Sequence, residues 1–261
     1  MRIRLQPYWG AGIAIGLALA GVALAADVED FVAGKTRACA GCDLSGRDLH
    51  GLALKFSELN GALLVSADLS DASLFRASMQ RVSARGAKFL RADLNLVDAK
   101  WSDLSSADFT DALLYESDLA GANLSGATLT RAGLGRARLN QANLTGAKLA
   151  GSDLRGARLA GIKLGNADMR GVTLDGQNLR DADLHGIDFA MADMIEVDLT
   201  GANLAAAKLA GVDLTGANLH GADLRGADLE GAKLRNAILT DARTEGANFA
   251  AAIMPDGSRA H

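Results

Sequence analysis

The sequence predicts an all-β fold in which the chain winds around a leucine-rich axis and makes four flat sides per coil. The main observation is a large apolar residue, usually Leu, at every fifth position from Leu44 to Phe249, without insertion or deletion. On a helix a step of five residues advances the side chain by roughly 500°, and on a strand it alternates between the two faces. A chain that turns once per unit, always in the same sense, keeps all of these residues inside.

The repeated unit is nearly invariant and occurs 42 times in one register. We call its apolar residue the centre: 32 centres are Leu, four are Phe and three are Met, and only Ala84, Ala99 and Thr244 depart. The minus-two position, two residues before the centre, is Ala in 27 units. We expect these two positions to point inward and the other three outward. Gly near the corners supports this, because it accepts backbone angles that other residues resist.

The Phe centres predict the number of units in each coil. They are Phe89, Phe109, Phe189 and Phe249, which are separated by 20, 80 and 60 residues. Because all three separations are multiples of 20, four units per coil would place these rings on one side as a core Phe ladder. The sequence therefore predicts about ten coils of 20 residues. At about 4.8 Å per layer the rod would be roughly 50 Å long.

Runs such as GANLSGATL, RGADL and TGANL resemble the pentapeptide-repeat family, whose pattern is A(D/N)LXX, and the resemblance covers residues 43–253. It implies a right-handed quadrilateral β-helix, a pentapeptide-repeat solenoid, and the handedness comes from the resemblance alone. It does not fix a function, because one fold can host different roles. The expected organisation is a signal peptide (1–25), an N-terminal cap with a CxxC motif (26–42), the β-helix (43–253) and a C-terminal turn and tail (254–261).

The first 25 residues predict export of the protein to the periplasm or the medium. Arg2 and Arg4 precede an apolar run, and Ala23-Leu24-Ala25 fits a small-x-small cleavage site, so cleavage is expected after Ala25. An uncleaved membrane anchor is the alternative, because the run approaches the length of a short spanning helix. The full chain has 27 basic and 31 acidic residues; without the two Arg it has 25 and 31, a net charge of −6. This mild balance gives no whole-chain affinity for nucleic acid.

Residues 26–42 are expected to cap the first coil. Residues 27–33 favour one or two helical turns that would place Val28, Phe31 and Val32 over its open end. An uncovered end would expose Leu side chains and unpaired backbone groups, which invite end-to-end association. The sequence accordingly allows either a monomer or an end-to-end dimer.

Cys39 and Cys42 are the two cysteines of the chain and are candidates for a disulfide. In an oxidising compartment paired Cys usually form one. A redox-active CxxC is the alternative, although no thioredoxin-like βαβ pattern surrounds it. Haem attachment would need His where Asp43 stands, and zinc would need two further clustered ligands.

Residues 71–117 depart most from the repeat, and residues 75–102 within them form a basic collar that carries aromatic residues. Six Arg and Lys face two Asp in this stretch, a local net charge of +4. Aromatic residues and Arg dominate binding hot spots, so the collar is the candidate partner-binding surface. Drift in a tolerant scaffold is the alternative, since single exposed apolar residues are normal. The candidate residues are Phe75, Arg76, Arg81, Leu96, Trp101 and Tyr115.

No catalytic, metal-binding or cofactor-binding pattern occurs in the sequence, so neither an enzyme nor a cofactor is expected. The four His occupy outward positions or the tail, and GxxxxGKS, HExxH and GxSxG are absent. Pro255-Asp256-Gly257 is a turn signal that should stop the coil.

The sequence favours a non-enzymatic, exported β-solenoid that acts as a protein-binding scaffold for an unknown protein partner. The main alternative comes from the resemblance: some family members mimic B-form DNA and bind DNA gyrase, which protects it from quinolones. That role needs a cytoplasmic location and a strongly acidic surface, which the signal peptide and the interspersed Lys and Arg disfavour. A purely structural role in the cell envelope and a redox role of the Cys pair stay open, whereas nucleic acid is not an expected partner.

Overall fold

The computed structural model describes residues 25–260, with side chains from Val28 onward. The predicted signal peptide lies outside the described residues apart from Ala25. The described chain opens with one helix, α1 (Ala25–Val32). No helix in this part of the chain combines the length and the apolar character that crossing a bilayer requires.

Beyond α1, the backbone forms isolated parallel bridges at every fifth residue from Ala38 to Ile253. Each joins a residue to the one 20 positions later, as Asp43 pairs with Leu63 and Leu63 with Ser83. Between bridges the chain turns, so residues 25–260 contain no extended strand, which departs from an ordinary all-β fold. The reason is the unit length, because five residues leave room for one bridge between two corners. The first bridge, at Ala38, lies one repeat unit before residue 43, where the sequence predicts the β-helix to begin.

Hydrogen bonds along the axis hold successive coils together. We number the four sides of the coil by the centres Leu44, Leu49, Leu54 and Leu59. The amide of a centre donates to the carbonyl 19 residues later, as the Leu64 N–H donates to the Ser83 oxygen at 2.7 Å. Since the partners lie in different coils, no coil can form its full set of hydrogen bonds alone.

Every corner places its second residue in the left-handed region, whether or not that residue is Gly. Gly121 has φ 67°, yet Trp101 has φ 57°, Arg131 56° and Met191 62°. A residue with a Cβ in this region costs roughly 1–2 kcal/mol, so the closed coil imposes the conformation. It also aims these side chains away from the axis.

The core is a continuous column of centres and minus-two residues. Phe89 and Phe109 are at most 1% exposed, and their rings stack 4.8 Å apart with planes 3° from parallel. The small centre Ala84 lies beside the larger minus-two Val82, and both stay buried. The exchange conserves volume, which a core tolerates well.

The two ends of the coil are closed to different extents. At the N-terminal end α1 covers the first coil, with Phe31 1% and Val28 6% exposed. At the C-terminal end the chain turns back, with the Ala260 N–H bonded to the Ala252 oxygen at 2.9 Å. The last coil stays partly open, because Leu239 and Phe249 are only half-buried.

Candidate functional site

The candidate partner-binding residues occupy two neighbouring corners of the coil, on either edge of side 4. The first, between sides 3 and 4, is here called the Tyr115 corner. The second, between sides 4 and 1, is called the Trp101 corner and contains Arg81 and Trp101 one coil apart. The Tyr115 corner holds the other four candidates: Phe75, Arg76, Leu96 and Tyr115.

At the Trp101 corner two cations face one exposed indole. Trp101 is 56% exposed. The Arg81 guanidinium carbon lies 5.3 Å from its ring centroid and the Lys100 Nζ 5.9 Å from it. Cation–π contacts of this kind contribute about 0.5–1 kcal/mol at exposed sites, which favours one orientation of the ring. The corner therefore presents a large aromatic face already ordered by its neighbours.

The Tyr115 corner repeats the same chemistry along several coils. The Phe56 and Phe75 rings meet edge to face with centroids 5.9 Å apart. Arg76 lies 5.4 Å from the Phe75 ring, and Arg136 lies 5.8 Å from the ring of Tyr115, which is 44% exposed. Aromatic rings and guanidinium groups thus lie next to one another along this corner.

Side 4, between these corners, carries a network of opposite charges. Lys100 Nζ lies 3.1 Å from Asp98 and 3.7 Å from Asp118, and Arg138 is 3.3 Å from Asp118. Hydrogen bonding to Asp98 raises the pKa of Lys100, so the ammonium stays charged. The surface between the aromatic columns is consequently polar and close to neutral.

Ion pairing removes part of the basic character that the sequence suggests for the collar. Arg91 donates to Asp71 at 2.8 Å, and Lys88 lies 3.4 Å from Asp68. The hydrogen bond from Arg91 lowers the pKa of Asp71, which keeps the pair charged. Arg76, Arg81 and Arg85 take part in none of the ion pairs among the described residues, and the first two lie beside aromatic rings.

Sequence reasoning missed Phe56 and Arg136 as members of this surface. Phe56 lies one coil before Arg76 in the same column, and Arg136 lies three coils after it. Their spacing in multiples of 20 is the signal that could have found them, because residues one coil apart stack in space. The 44% exposure of Phe56 shows that it points outward.

Cys39 and Cys42 lie side by side at the end of the N-terminal cap. Their Cα atoms are 5.2 Å apart, their sulfurs are within bonding distance, and both side chains are at most 3% exposed. The arrangement can hold a disulfide shielded from solvent. Within residues 25–260, no three His, Cys, Asp or Glu side chains are grouped so as to hold a metal ion.

A family model described as pentapeptide repeats matches the chain in eight copies. The copies cover residues 54–91, 92–132, 122–161, 134–171, 157–194, 192–231, 202–241 and 227–256. No curated protein matches the sequence.

Several solved structures are similar to the chain. HetL, a pentapeptide repeat protein involved in heterocyst differentiation regulation in Nostoc sp. strain PCC 7120, is 27% identical; the alignment covers 90% of this chain and 98% of HetL with a TM-score of 0.38. Rfr23 from Cyanothece 51142 is 22% identical over 56% of this chain and 98% of its own, with a TM-score of 0.28.

QnrB1, a plasmid-mediated fluoroquinolone resistance protein, supports the fold most directly. It is 15% identical, with 70% of this chain and 91% of QnrB1 covered and a TM-score of 0.54. This likeness concerns the fold alone. The family model spans most of the sequence and its repeats follow the 20-residue ladder, and the chain therefore belongs to the pentapeptide-repeat family.

Proposed function

We propose that this protein is an exported, non-enzymatic right-handed β-solenoid of about ten coils that binds a partner protein through the Trp101 and Tyr115 corners. The observation that carries the proposal is the indole of Trp101, exposed yet oriented by Arg81 and Lys100. Hot spots at protein interfaces are enriched in Trp, Tyr and Arg. The preordered ring would lose little side-chain entropy on binding.

The experiment that tests it is crosslinking and capture from the periplasm with wild type and a triple variant. The variant replaces Phe75, Trp101 and Tyr115 with Ser, all at outward positions, so the fold should persist. Met191→Ser is the matched control, because Met191 is a corner residue with φ 62° and 73% exposure, far from the collar. A partner that wild type and the control retain and the triple variant loses supports the proposal. An unchanged set of partners for all three proteins refutes it.

Two observations support export. The residues before Ala26 fit a cleaved signal peptide, and the buried Cys39–Cys42 pair suits an oxidising compartment, where disulfides persist. The mature protein should begin at Ala26 in the periplasmic fraction. A full-length, unprocessed protein in the cytosol would contradict this proposal.

Fluoroquinolone protection is a second candidate because QnrB1 shares the fold. The surface charge weighs against it. Cations interrupt the carboxylates of side 2 along the axis, as Lys148 bridges to Asp168 and Lys208 to Asp228. A polyanion mimic would need uninterrupted acidic columns. Expression in the cytoplasm followed by a measurement of fluoroquinolone susceptibility decides the point, and an unchanged susceptibility removes this candidate.

A further inference from the structure

The ladder of bridges is interrupted once, on sides 4 and 1. Arg158 is bridged to Arg138 but not to Asn178, and Lys163 is bridged to Asn143 but not to Asp183, within the described chain. On sides 2 and 3 the same coils remain joined. The intact bridges there are Asp168 with Asp188 and Asp153 with Thr173. The two coils thus separate along one edge and form a wedge-shaped slit.

Two large minus-two residues lie where the coils separate. Gln177 occupies a position that is Ala in most units, and its Nε2 donates to the Leu154 oxygen at 2.8 Å. Ile162 occupies another such position and is only half-buried. Their centres remain Leu, so volume is added without the compensation seen at Val82 and Ala84. Overpacking of this kind forces backbone shifts.

The slit exposes backbone groups that are paired elsewhere in the ladder. Residues 157–162 of one coil and 177–183 of the next line a cavity of about 670 Å³ between them. The N–H groups of Leu159, Gly161 and Leu164 have no backbone acceptor in the described chain, whereas the equivalent Leu139 N–H donates at 2.8 Å. On the opposite lip, the N–H groups of Asn178 and Asp183 are likewise free. Unpaired backbone groups are costly when buried, so this edge favours an occupant that supplies both donors and acceptors.

The N-terminal lip of the slit is also positively charged. Arg158 and Lys163 are exposed and take part in none of the ion pairs among the described residues. On the other lip Arg180 lies 3.1 Å from Asp198, which neutralises it, and Asp181 and Asp183 line the cavity, so the free cations belong to the N-terminal lip alone. A carboxylate placed between Arg158 and Asn178 would face the free guanidinium.

We propose that this slit binds an extended peptide segment of a partner protein, which adds as a further layer between the two coils and places an acidic side chain beside Arg158. A peptide backbone supplies alternating donors and acceptors to both lips, which is the basis of recognition by strand addition. Small and aliphatic side chains of the segment would pack on the half-buried Ile162 and Ala182. The proposal does not depend on the aromatic corners.

The probe is an octapeptide with the sequence of residues 117–124, SDLAGANL, capped at both ends. It spans sides 4 and 1 in the register of residues 157–164 and 177–184 and carries Asp at the position that would face Arg158. Titration should show saturable one-to-one binding. A version with Pro in place of Asp118 and Asn123 removes two backbone donors and should not bind. A version with Lys in place of Asp118 should bind several-fold more weakly.

Three protein variants complete the test, one of them a control. Arg158→Glu should weaken octapeptide binding several-fold, whereas Lys148→Glu, on side 2, should leave it unchanged. Gln177→Ala restores the common minus-two residue; it should close the slit, abolish binding and slow the exchange of the Leu159 and Gly161 amides. The proposal is overturned if the proline peptide binds as well as SDLAGANL, if neither peptide binds, or if those amides in free wild type exchange as slowly as that of Leu139.

Discussion

The indole of Trp101 covers the backbone of Gly121, the residue one coil further along the same corner. A Cβ added to Gly121 would lie 2.6 Å from Cδ1 and 2.9 Å from Nε1 of Trp101. Gly121 therefore has two roles: it adopts the positive φ of the turn, and its missing side chain leaves room for the indole of Trp101.

We expect Gly121→Ala to displace the indole and weaken capture of the partner while the protein stays folded. The contact is with the movable side chain of Trp101, so the ring can shift. Gly126→Ala is the control, since Gly126 has a similar φ of 64° but its nearest neighbour is the Ser106 hydroxyl at 3.7 Å. Tryptophan fluorescence and partner capture report the two effects. Equal behaviour of the two variants would show that Gly121 does not position Trp101.

Removing one ring of the Phe89–Phe109 stack should destabilise the protein strongly. Phe109→Ala is expected to lower the free energy of unfolding by about 3–5 kcal/mol, because it removes a buried ring and leaves a cavity in a closed coil. Phe249→Ala should cost less, since Phe249 is only half-buried in the open last coil. Denaturant unfolding measures both changes, and a Phe249→Ala effect equal to or larger than that of Phe109→Ala contradicts the assignment.

Asp193 should destabilise the protein near neutral pH. Burial raises the pKa of Asp193 above its ordinary value of 3.8, and the neighbouring Asp175 and Asp213 carboxylates raise it further. The protonated form of Asp193 stabilises the folded protein when the pH is below the ordinary pKa. This stabilisation is lost as the pH rises through the raised pKa of the folded protein. Asp193→Asn should therefore be more stable than wild type at neutral pH, and the difference should shrink in acid.

Asp213, one coil along the same column, is the control. Burial opposes ionisation of Asp213, but hydrogen bonds from Thr215 and Lys233 lower its pKa overall. Its stabilising effect is present at neutral pH and is lost as the pH falls through the lowered pKa. Asp213→Asn should consequently reduce stability at neutral pH. Unfolding curves over a pH series would contradict the assignment if both variants changed stability in the same direction.

Cys42→Ala should isolate the contribution of the Cys pair. Cys42 is fully buried at a minus-two position, where Ala is the usual residue, so the substitution fits the core. We expect a loss of about 2 kcal/mol or less, because the closed loop is short. Reductant should destabilise wild type to a similar extent and leave the variant unchanged. A wild type that is insensitive to reductant, with two thiols that label when unfolded, would show that no disulfide forms.

The open C-terminal coil should be the contact if the protein forms end-to-end dimers. The Leu239, Thr244 and Phe249 N–H groups have no backbone acceptor within residues 25–260, and Ile238 is 49% exposed. Leu239→Asp should shift sedimentation toward the monomer by placing a charge at this end. Met191→Asp, an exposed change far from this end, should have no effect. A dimer that survives Leu239→Asp would place the contact elsewhere.

The sequence by itself determined which positions point inward, although the minus-two Arg47 and the centre Thr244, in the first and last coils, are exposed. Because each unit repeats the same five positions, the burial of Leu64 or Ala67 follows from local alternation and could be predicted residue by residue. The spacing of the Phe centres also predicted the 20-residue offset at which Phe89 meets Phe109. The apolar residues before the repeat also predicted that Val28 and Phe31 would be buried over the first coil, as they are.

Only the tertiary structure decided which outward residues meet and where the ladder opens. Arg136 faces Tyr115 and Arg91 pairs with Asp71 through neighbouring coils, so the local charge of a sequence window does not describe the surface. The slit near Gln177 depends on the summed volume of side chains in adjacent coils. This packing is decided only when successive coils stack, because the side chains that fill the same space are a full coil apart in sequence.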